Sequence, residues 1–238
     1  MSIFRGAGTH SSGARIMVAG LAMMLVSLAG MPLRAATPAT MNIDAGWQFR
    51  ALTPTKDQPE AANWHAATVP GVVQTDLLNN KLIPDPFFQD NEYRLQWIGN
   101  ADWEYRTTFS VDSAMLARQH LDLVFDGLDT FADVYVNDQI VLHADDMFRG
   151  WRVLVKGTLQ PGANTLRIVF HSPIQYMLPK VKALAYVLPA LSTPNGGIEE
   201  GIATAPYTRQ APYNYGWAWL PRFVSIGIWH AVPLAVWD

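Results

Sequence analysis

Hydrophobic and polar positions repeat every two residues along most of the chain from residue 41 onward. Residues 120–126 (HLDLVFD) and 131–136 (FADVYV) alternate in this way, which is typical of strands with one buried face. The pair Asn137-Asp138 follows FADVYV and leads into the run 139–143 (QIVLH), so the sequence predicts a β-hairpin there. Residues 165–170 (TLRIVF) alternate again and predict a further strand.

Shorter β-like runs complete the pattern. They lie at residues 47–49, 152–155, 224–229 and 232–237. Six or more strands without a strand–helix–strand rhythm favour an all-β, antiparallel sandwich. Short helical turns are predicted at 74–79 and 112–118. The segments 69–100 and 176–212 contain several prolines, and we expect them to be long loops with a function.

The first 36 residues have a different pattern. Basic residues flank the uncharged, apolar run 16–31, and no Asp or Glu occurs in this segment. A positively charged start, an apolar stretch and small residues after it predict a secretory signal peptide over residues 1–36. The alternative is a membrane anchor, but a span needs ~20 apolar residues and this run is shorter. We therefore expect a secreted or periplasmic protein, without a membrane span after signal removal, whose folded domain covers residues 41–238.

The composition of the 238-residue chain excludes several classes of protein. Hydrophobic residues make up 50%, aromatic residues 11% and charged residues 16%, which rules out a disordered chain. The net charge is −3 and no basic run occurs, so no nucleic-acid partner is indicated. There are no cysteines, which removes disulfides, thiol chemistry and thiolate metal sites.

No familiar catalytic or cofactor motif occurs in the sequence. The six histidines lack a metal-ligand spacing, and neither a Gly-x-Ser-x-Gly elbow nor a Gly-rich phosphate loop is present. We therefore expect no metal and no cofactor. Glu199-Glu200 is an adjacent carboxylate pair, but glycoside cleavage needs two carboxyl groups held ~5–9 Å apart. A solvated pair in a Gly-rich loop is the favoured interpretation.

Aromatic residues interleaved with polar ones are the most informative feature of the sequence. Flat rings beside hydrogen-bonding groups suit a sugar, whose C–H faces stack while its hydroxyls need partners. For Trp47, Trp103 and Tyr105, which stand in strand-like runs, a place in the core is favoured. Trp217 and Trp219 share one face of an extended chain, and for them core packing and sugar contact both remain open.

Seven sequence blocks, in order, resemble the amino-terminal domain of β-mannosidases in glycoside hydrolase family two. They are VPGVVQTDLL (69–78), IPDPFFQDNE (83–92), LQWIG (95–99), DWEYRTTF (102–109), FDGLDTFADVY (125–135), MFRGW (147–151) and PYNYGWAWLPR (212–222). Each block is modest on its own, but seven in the same order make a specific signal. The resemblance covers roughly residues 41–238.

The resemblance implies a galactose-binding-like jelly-roll β-sandwich that packs against a catalytic barrel. Enzymes of this family release terminal β-linked mannose with two Glu residues of the barrel, so no catalytic residue is expected in this chain. Because the resemblance runs to the end of the chain at Asp238, we expect a truncated chain that lacks the barrel and is inactive by itself.

One motif of this domain reaches the active site in the family, as Gly-Trp-Asp-Trp-Gly-Pro, and its Asp binds mannose hydroxyls. In this sequence Ala218 replaces that Asp and Leu220 replaces the second Gly, while His230 stands where the family usually has Arg. A methyl group cannot accept a hydrogen bond, and a lost buried bond to a charged group costs ~1.5–3 kcal/mol. The remaining candidates for a sugar-binding rim are Trp97, Trp217, Trp219, Asn91 and Glu92.

Three functions are compatible with these observations. The leading hypothesis is the non-catalytic, amino-terminal domain of a secreted β-mannosidase-like hydrolase. The second is a free-standing lectin-like module that binds a glycan through its loop aromatics. The third is a structural domain that completes a separate chain carrying the barrel. The expected partners are a β-mannoside carbohydrate and a catalytic barrel domain.

Overall fold

Short strands with one buried face make up most of the described chain. The computed structural model describes residues 38–186, 188, 202–216 and 220–238. In this part of the chain the strands are β1 (Ala39–Asn42), β2 (Gln48–Ala51), β3 (His65–Ala66), β4 (Gly71–Val72), β5 (Trp103–Val111), β6 (His120–Phe125), β7 (Leu128–Asp129), β8 (Phe131–Val136), β9 (Gln139–Ala144), β10 (Trp151–Leu154), β11 (Gly162–His171), β12 (Gly227–Ile228) and β13 (Pro233–Trp237).

Helices are few and short. The α-helices of the described residues are α1 (Val73–Asn79), α2 (Asn91–Arg94), α3 (Trp97–Asn100), α4 (Ser113–Leu116) and α5 (Pro173–Lys182). Single 3-10 turns occur at Pro59–Ala62, Lys156–Thr158, Ala205–Tyr207 and Pro212–Tyr215. None of the described helices is long and apolar enough to cross a bilayer.

The strands pair in antiparallel sheets. The largest sheet has the order β3-β2-β5-β11-β8-β9, and a second has the order β1-β13-β6-β10. A small third sheet has the order β4-β12-β7. The predicted hairpin is present as β8 and β9, whose register shifts once between Val134 and Tyr135. These pairings confirm the prediction of an all-β, antiparallel sandwich.

Inward-facing aromatic and aliphatic side chains of the two larger sheets form one hydrophobic core. In β5 the side chains of Trp103 and Tyr105 are fully buried, and Trp47 is buried just before β2. The Phe49 ring packs against Trp103 and Tyr105, with centroids 5.9 and 5.8 Å apart. The interpretation of Trp47, Trp103 and Tyr105 as core residues is therefore confirmed.

A buried carboxylate attaches helix α1 to the core. Asp76 lies on α1 and accepts hydrogen bonds of 2.8 Å from the Tyr105 hydroxyl and the Thr68 backbone N–H. Burial raises the pKa of Asp76 although both hydrogen bonds lower it. A buried polar group needs such partners, so this contact fixes where α1 lies on the sheet.

Three secondary-structure predictions from the sequence were wrong in part. The segment 69–100, expected to be a long loop with one helical turn, contains α2 and α3 as well as α1. The segment expected to be a loop from residue 176 begins inside helix α5, which Ser172 caps by accepting the Gln175 N–H at 3.0 Å. The strand expected at 224–229 is reduced to β12, because the carbonyls of Val224 and Ser225 accept side-chain donors instead. β1 also begins two residues before the expected domain start at residue 41. The expected signal peptide and the Glu199-Glu200 pair lie outside the described residues.

Candidate functional site

A buried carboxylate at the end of β7 organises one end of the sandwich. Asp129 is only 1% exposed and accepts hydrogen bonds from Thr130 Oγ1 at 2.5 Å, Gln210 Nε2 at 2.7 Å and Ser225 Oγ at 2.5 Å. Burial raises the pKa of Asp129 to about 6, although Ser225, Thr130 and Gln210 all favour the charged form. The carboxyl group is thus held by three donors in a site where its charge is costly.

These bonds tie three distant parts of the chain together. Gln210 Nε2 also donates to the Ser225 carbonyl at 2.7 Å, and Asn214 Nδ2 donates to Ser225 Oγ at 2.7 Å. We refer to Asp129, Thr130, Gln210, Asn214 and Ser225 as the Asp129 network. Because its members stand on both sides of residues 216–222 in the sequence, the network fixes the chain before and after the divergent family motif.

The second anchor of that segment is a buried arginine. The backbone N–H of Arg222 donates to Glu92 Oε1 at 2.7 Å, and its Nη1 donates to Gln96 Oε1 at 2.5 Å. Gln96 Nε2 in turn donates to the carbonyls of Arg222 and Glu92, both at 2.8 Å. We refer to Glu92, Gln96 and Arg222 as the Arg222 clamp. The Arg222 clamp joins residue 222, just after the motif, to α2 and to the turn that follows it.

Tyr215 lies between the two anchors. Its side chain is buried, and burial raises the pKa of its hydroxyl to about 12. The guanidinium carbon of Arg222 is 6.0 Å from the centre of the Tyr215 ring, so Tyr215 lies beside the arginine of the clamp. The neighbouring Tyr213 is instead exposed to solvent.

The predicted rim residues take mainly structural positions where they are described. Asn91 is buried and donates from Nδ2 to the Asp85 carbonyl at 2.7 Å. Glu92 belongs to the Arg222 clamp. Trp97 is half-buried on α3, and its ring centre lies 5.8 Å from that of Trp103. The structure thus brings Glu92 next to the motif segment and directs Trp97 toward the core.

Of the three positions where the sequence departs from the family, the structure describes Leu220 and His230 but not Ala218. Trp217, Ala218 and Trp219 lie outside the described residues, whereas Leu220 is exposed. His230 is also exposed, and its backbone comes so close to Gly127 that a Cβ there would lie 2.7 Å from the His230 nitrogen. Only glycine permits this approach of the two chain segments.

Sequence reasoning did not single out Asp129, Gln210, Ser225 or Gln96 as site residues. Asp129 and Gln96 do stand inside the blocks that carry the family resemblance, and this was the available signal. Within the part of the chain that the structure describes, no three His, Asp or Glu side chains come together as a metal-binding group. The polar side chains of the Asp129 network and the Arg222 clamp form hydrogen bonds that hold the chain before and after the motif.

Residues 47–230 match the family of glycosyl hydrolase 2 galactose-binding domain-like sequences. The chain belongs to this family. The matched residues include the Asp129 network, the Arg222 clamp, all six strands of the largest sheet, and β6 and β10 of the second sheet. The resemblance to the amino-terminal domain of the glycosyl hydrolase 2 β-mannosidases is thereby confirmed.

Curated relatives of the galactose-binding-like domain are β-mannosidases. β-Mannosidase B of Thermothelomyces thermophilus is 33% identical over 198 residues, which are 82% of this chain and 22% of that protein. β-Mannosidase of Mus musculus is 31% identical over 173 residues, which are 72% of this chain and 19% of that protein. The chain thus spans about a fifth of the length of these relatives.

Solved structures show the same relationship. The β-D-mannosidase of Dictyoglomus thermophilum is 34% identical with a TM-score of 0.74, covering 84% of this chain and 23% of that one. The exo-chitosanase of Amycolatopsis orientalis shares the fold at 18% identity and a TM-score of 0.57, covering 84% and 21% of the two chains. The galactose-binding-like fold is therefore shared beyond the β-mannosidases.

Proposed function

We propose that this chain acts as the non-catalytic, amino-terminal domain of an exported β-mannosidase-type enzyme, whose catalytic barrel is supplied by residues other than these 238. Membership of the galactose-binding-like family and the identity to β-mannosidases support this function. The domain would contribute a preformed surface on which the barrel packs.

The observation that carries the proposal is a set of exposed hydrophobic side chains on the two chain segments that the Arg222 clamp joins. We refer to them as the docking face: Phe87, Phe88, Tyr93, Tyr213 and Leu220. Phe87 is 77% exposed although its ring meets that of Phe223 edge-on, with centroids 5.4 Å apart. Soluble proteins seldom leave clustered apolar side chains in water unless another surface covers them.

The two anchors explain why the docking face has a defined shape. The Arg222 clamp joins residues 91–96 to residue 222, and the Asp129 network holds residues 210–214 against residue 225. Side chains from two separate loops are thereby presented together. An interface that is preorganised in this way loses less conformational entropy when it binds. Because Ala218 stands at the family's Asp position, we propose that the segment supplies shape there without a carboxylate acceptor.

Catalysis and docking can be tested with the barrel part of a relative. The chain alone is expected not to hydrolyse an aryl β-mannoside, because retaining cleavage needs two fixed carboxyl groups that the family carries on its barrel. The chain is expected to bind a shortened Dictyoglomus thermophilum β-D-mannosidase that lacks the 23% of its own chain that this domain matches. The double variant Phe87→Ser, Phe88→Ser should weaken this binding by about tenfold or more, since each buried aromatic contributes over ~1 kcal/mol. Calorimetry would measure the affinity.

A matched control is Leu154→Ser, which removes an equally exposed apolar side chain from edge strand β10. This variant should bind the barrel as the unmodified chain does. Turnover by the chain alone, above a heat-inactivated control and after removal of host enzymes, would show that it is catalytic. If Leu154→Ser lost as much affinity for the barrel as the Phe87→Ser, Phe88→Ser variant, the barrel would not bind at the docking face.

We also propose that the protein is exported and processed. The apolar run 16–31 is too short for a stable span and is preceded by basic residues, as in a signal peptide. Exported material is therefore expected to begin near residue 37, which mass spectrometry of the intact protein would measure. Material that still begins near Met1 would contradict this prediction.

A further inference from the structure

The outer face of the six-stranded sheet carries an aligned row of polar and charged side chains. Gln48 on β2 pairs with Arg106 on β5, which pairs with Arg167 on β11, which pairs with Tyr135 on β8. In antiparallel sheets directly paired residues point to the same face with Cβ atoms about 5 Å apart. Two guanidinium groups therefore stand next to each other in the middle of this row.

Aromatic rings hold these guanidinium groups in place. The Cζ atom of Arg106 lies 3.7 Å from the centre of the Trp64 ring, and that of Arg50 lies 4.4 Å from the same ring. Arg167 Cζ lies 3.8 Å from the centre of the Tyr135 ring. Stacked guanidiniums are preorganised, so they lose little freedom when they bind a ligand.

The charges on this face are not balanced. Glu104 is shared by two arginines, at 2.7 Å from Arg50 and 3.3 Å from Arg167. Arg106 instead donates from Nε and Nη2 to the amide oxygen of Gln48, at 3.0 and 2.9 Å, and has no carboxylate partner among the described residues. Like charges directly opposite each other in a sheet are destabilising. A bound anion would relieve this repulsion.

A groove runs along the same row. Its volume is about 460 Å³, and its polar lining includes Arg106, Arg167, Thr108, Thr165, Gln48 and Asp138. Sites of this size accommodate a small ligand such as one or two sugar units. The lining combines two guanidiniums with hydroxyl groups and one carboxylate.

We propose that this groove binds an acidic saccharide through the carboxylate of a uronate unit. The paired forks of Arg106 and Arg167 match a planar carboxylate. Asp138 and the two threonines match sugar hydroxyls, which donate to a carboxylate and exchange hydrogen bonds with other hydroxyls. Asp138 would repel a doubly charged phosphate more strongly than a single carboxylate. A neutral sugar would leave the charge of Arg106 without a carboxylate partner, since its donors to Gln48 reach only a neutral amide oxygen. The inference is independent of the proposed function, because the docking face shares no residue with the groove.

Binding can be tested by titrating the full chain with an oligogalacturonide in a calorimeter. The comparison ligand is the same oligosaccharide with its carboxyl groups reduced to hydroxymethyl groups. We expect the acidic form to bind about tenfold or more tightly than the reduced form, and the difference to shrink at high salt. Arg106→Gln should weaken binding of the acidic form by about tenfold. Arg106→Lys, which keeps the charge but loses the fork, should give an intermediate loss.

Arg94→Gln is the matched control, because it removes an exposed guanidinium outside the groove. This variant should bind as the unmodified chain does, and circular dichroism should show all three variants folded. Equal binding of acidic and reduced oligosaccharides would overturn the proposal. So would unchanged binding by Arg106→Gln, or displacement of the saccharide by acetate at the same concentration, which would indicate an unspecific anion site.

Discussion

Replacing Asp129 with alanine is expected to lower the free energy of unfolding by about 3 kcal/mol at pH 5. The change leaves Thr130, Gln210 and Ser225 without the acceptor that they share; Thr130 and Gln210 are buried and Ser225 is half-buried. Each buried donor that loses its partner costs about 1 kcal/mol or more. Denaturant unfolding followed by circular dichroism would measure the difference.

The matched control is Asp129→Asn, which keeps the shape of the side chain and one acceptor oxygen. Gln210 Oε1 has no hydrogen-bond partner among the described residues. A flipped Gln210 amide could therefore accept from the new Asn, so we expect about half the loss seen with alanine. Equal losses in the two variants would show that hydrogen bonding by Asp129 is not what stabilises this end of the domain.

The difference in stability between the unmodified chain and Asp129→Asn should depend on pH. The folded pKa of Asp129 is about 6, above its ordinary value of 3.8, because burial disfavours the charged form. Stability from this group is therefore fully present below pH 3.8 and lost as the pH rises through 6. The stability advantage of the unmodified chain over Asp129→Asn should shrink over this interval, by up to about 3 kcal/mol. A constant difference from pH 4 to pH 7 would contradict the raised pKa.

Period-two alternation predicted the strands that bury one face. The hairpin of β8 and β9 was recognisable because the turn pair Asn137-Asp138 separates two β-like runs. The single register shift between Val134 and Tyr135 has no counterpart in that pattern, since it depends on how two strands meet. Local periodicity therefore gave the elements, while their exact register came from tertiary packing.

Helix α5 forms although a proline within it favours a loop. Pro179 within the segment indicated a loop, because proline removes one helical hydrogen bond. Ser172 followed by Pro173 was the opposing signal, since serine caps a helix and proline suits its first position. The helix forms because its buried residues, such as Ile174 and Val181, pack against the domain. Burial of that face offsets the missing bond.

The site could be located from the sequence but its contacts could not. The family blocks contain Glu92, Asp129 and Arg222, so the resemblance identified the correct segments. The bond between Arg222 and Glu92 joins residues 130 positions apart, and Asp129 reaches Gln210 across 81 positions. Sequence patterns predict contacts between residues a few positions apart, not between residues so far apart in the sequence. Glu92 was predicted as a candidate for the sugar-binding rim, and this stays a prediction. The structure adds that its Oε1 accepts a hydrogen bond from the Arg222 backbone N–H.

Replacing His171 with glutamine is expected to lower the free energy of unfolding at pH 7 by about 1–2 kcal/mol, a range reduced for solvent screening. His171 Nε2 lies 2.9 Å from Asp133 Oδ2, and its Nδ1 lies 4.0 Å from Asp102 Oδ2. The nearby carboxylates of Asp102 and Asp133 raise the pKa of His171 to about 9, against the opposing effect of burial. Glutamine can keep one hydrogen bond but not the positive charge. Thermal or denaturant unfolding across pH would measure the loss.

The sign of the pH dependence distinguishes this charge effect from lost packing against Tyr176, whose ring centre is 5.8 Å from that of His171. Because the folded pKa of about 9 lies above the ordinary 6.5, the stabilisation is fully present below pH 6.5 and lost as the pH rises through 9. The unmodified and variant chains should therefore converge in stability near pH 10, whereas a packing loss would persist there. His143→Gln is the matched control: its ring also contacts Asp133, at 2.6 Å, but is 75% exposed. It should cost less than about 0.5 kcal/mol, because exposed ion pairs contribute little to stability.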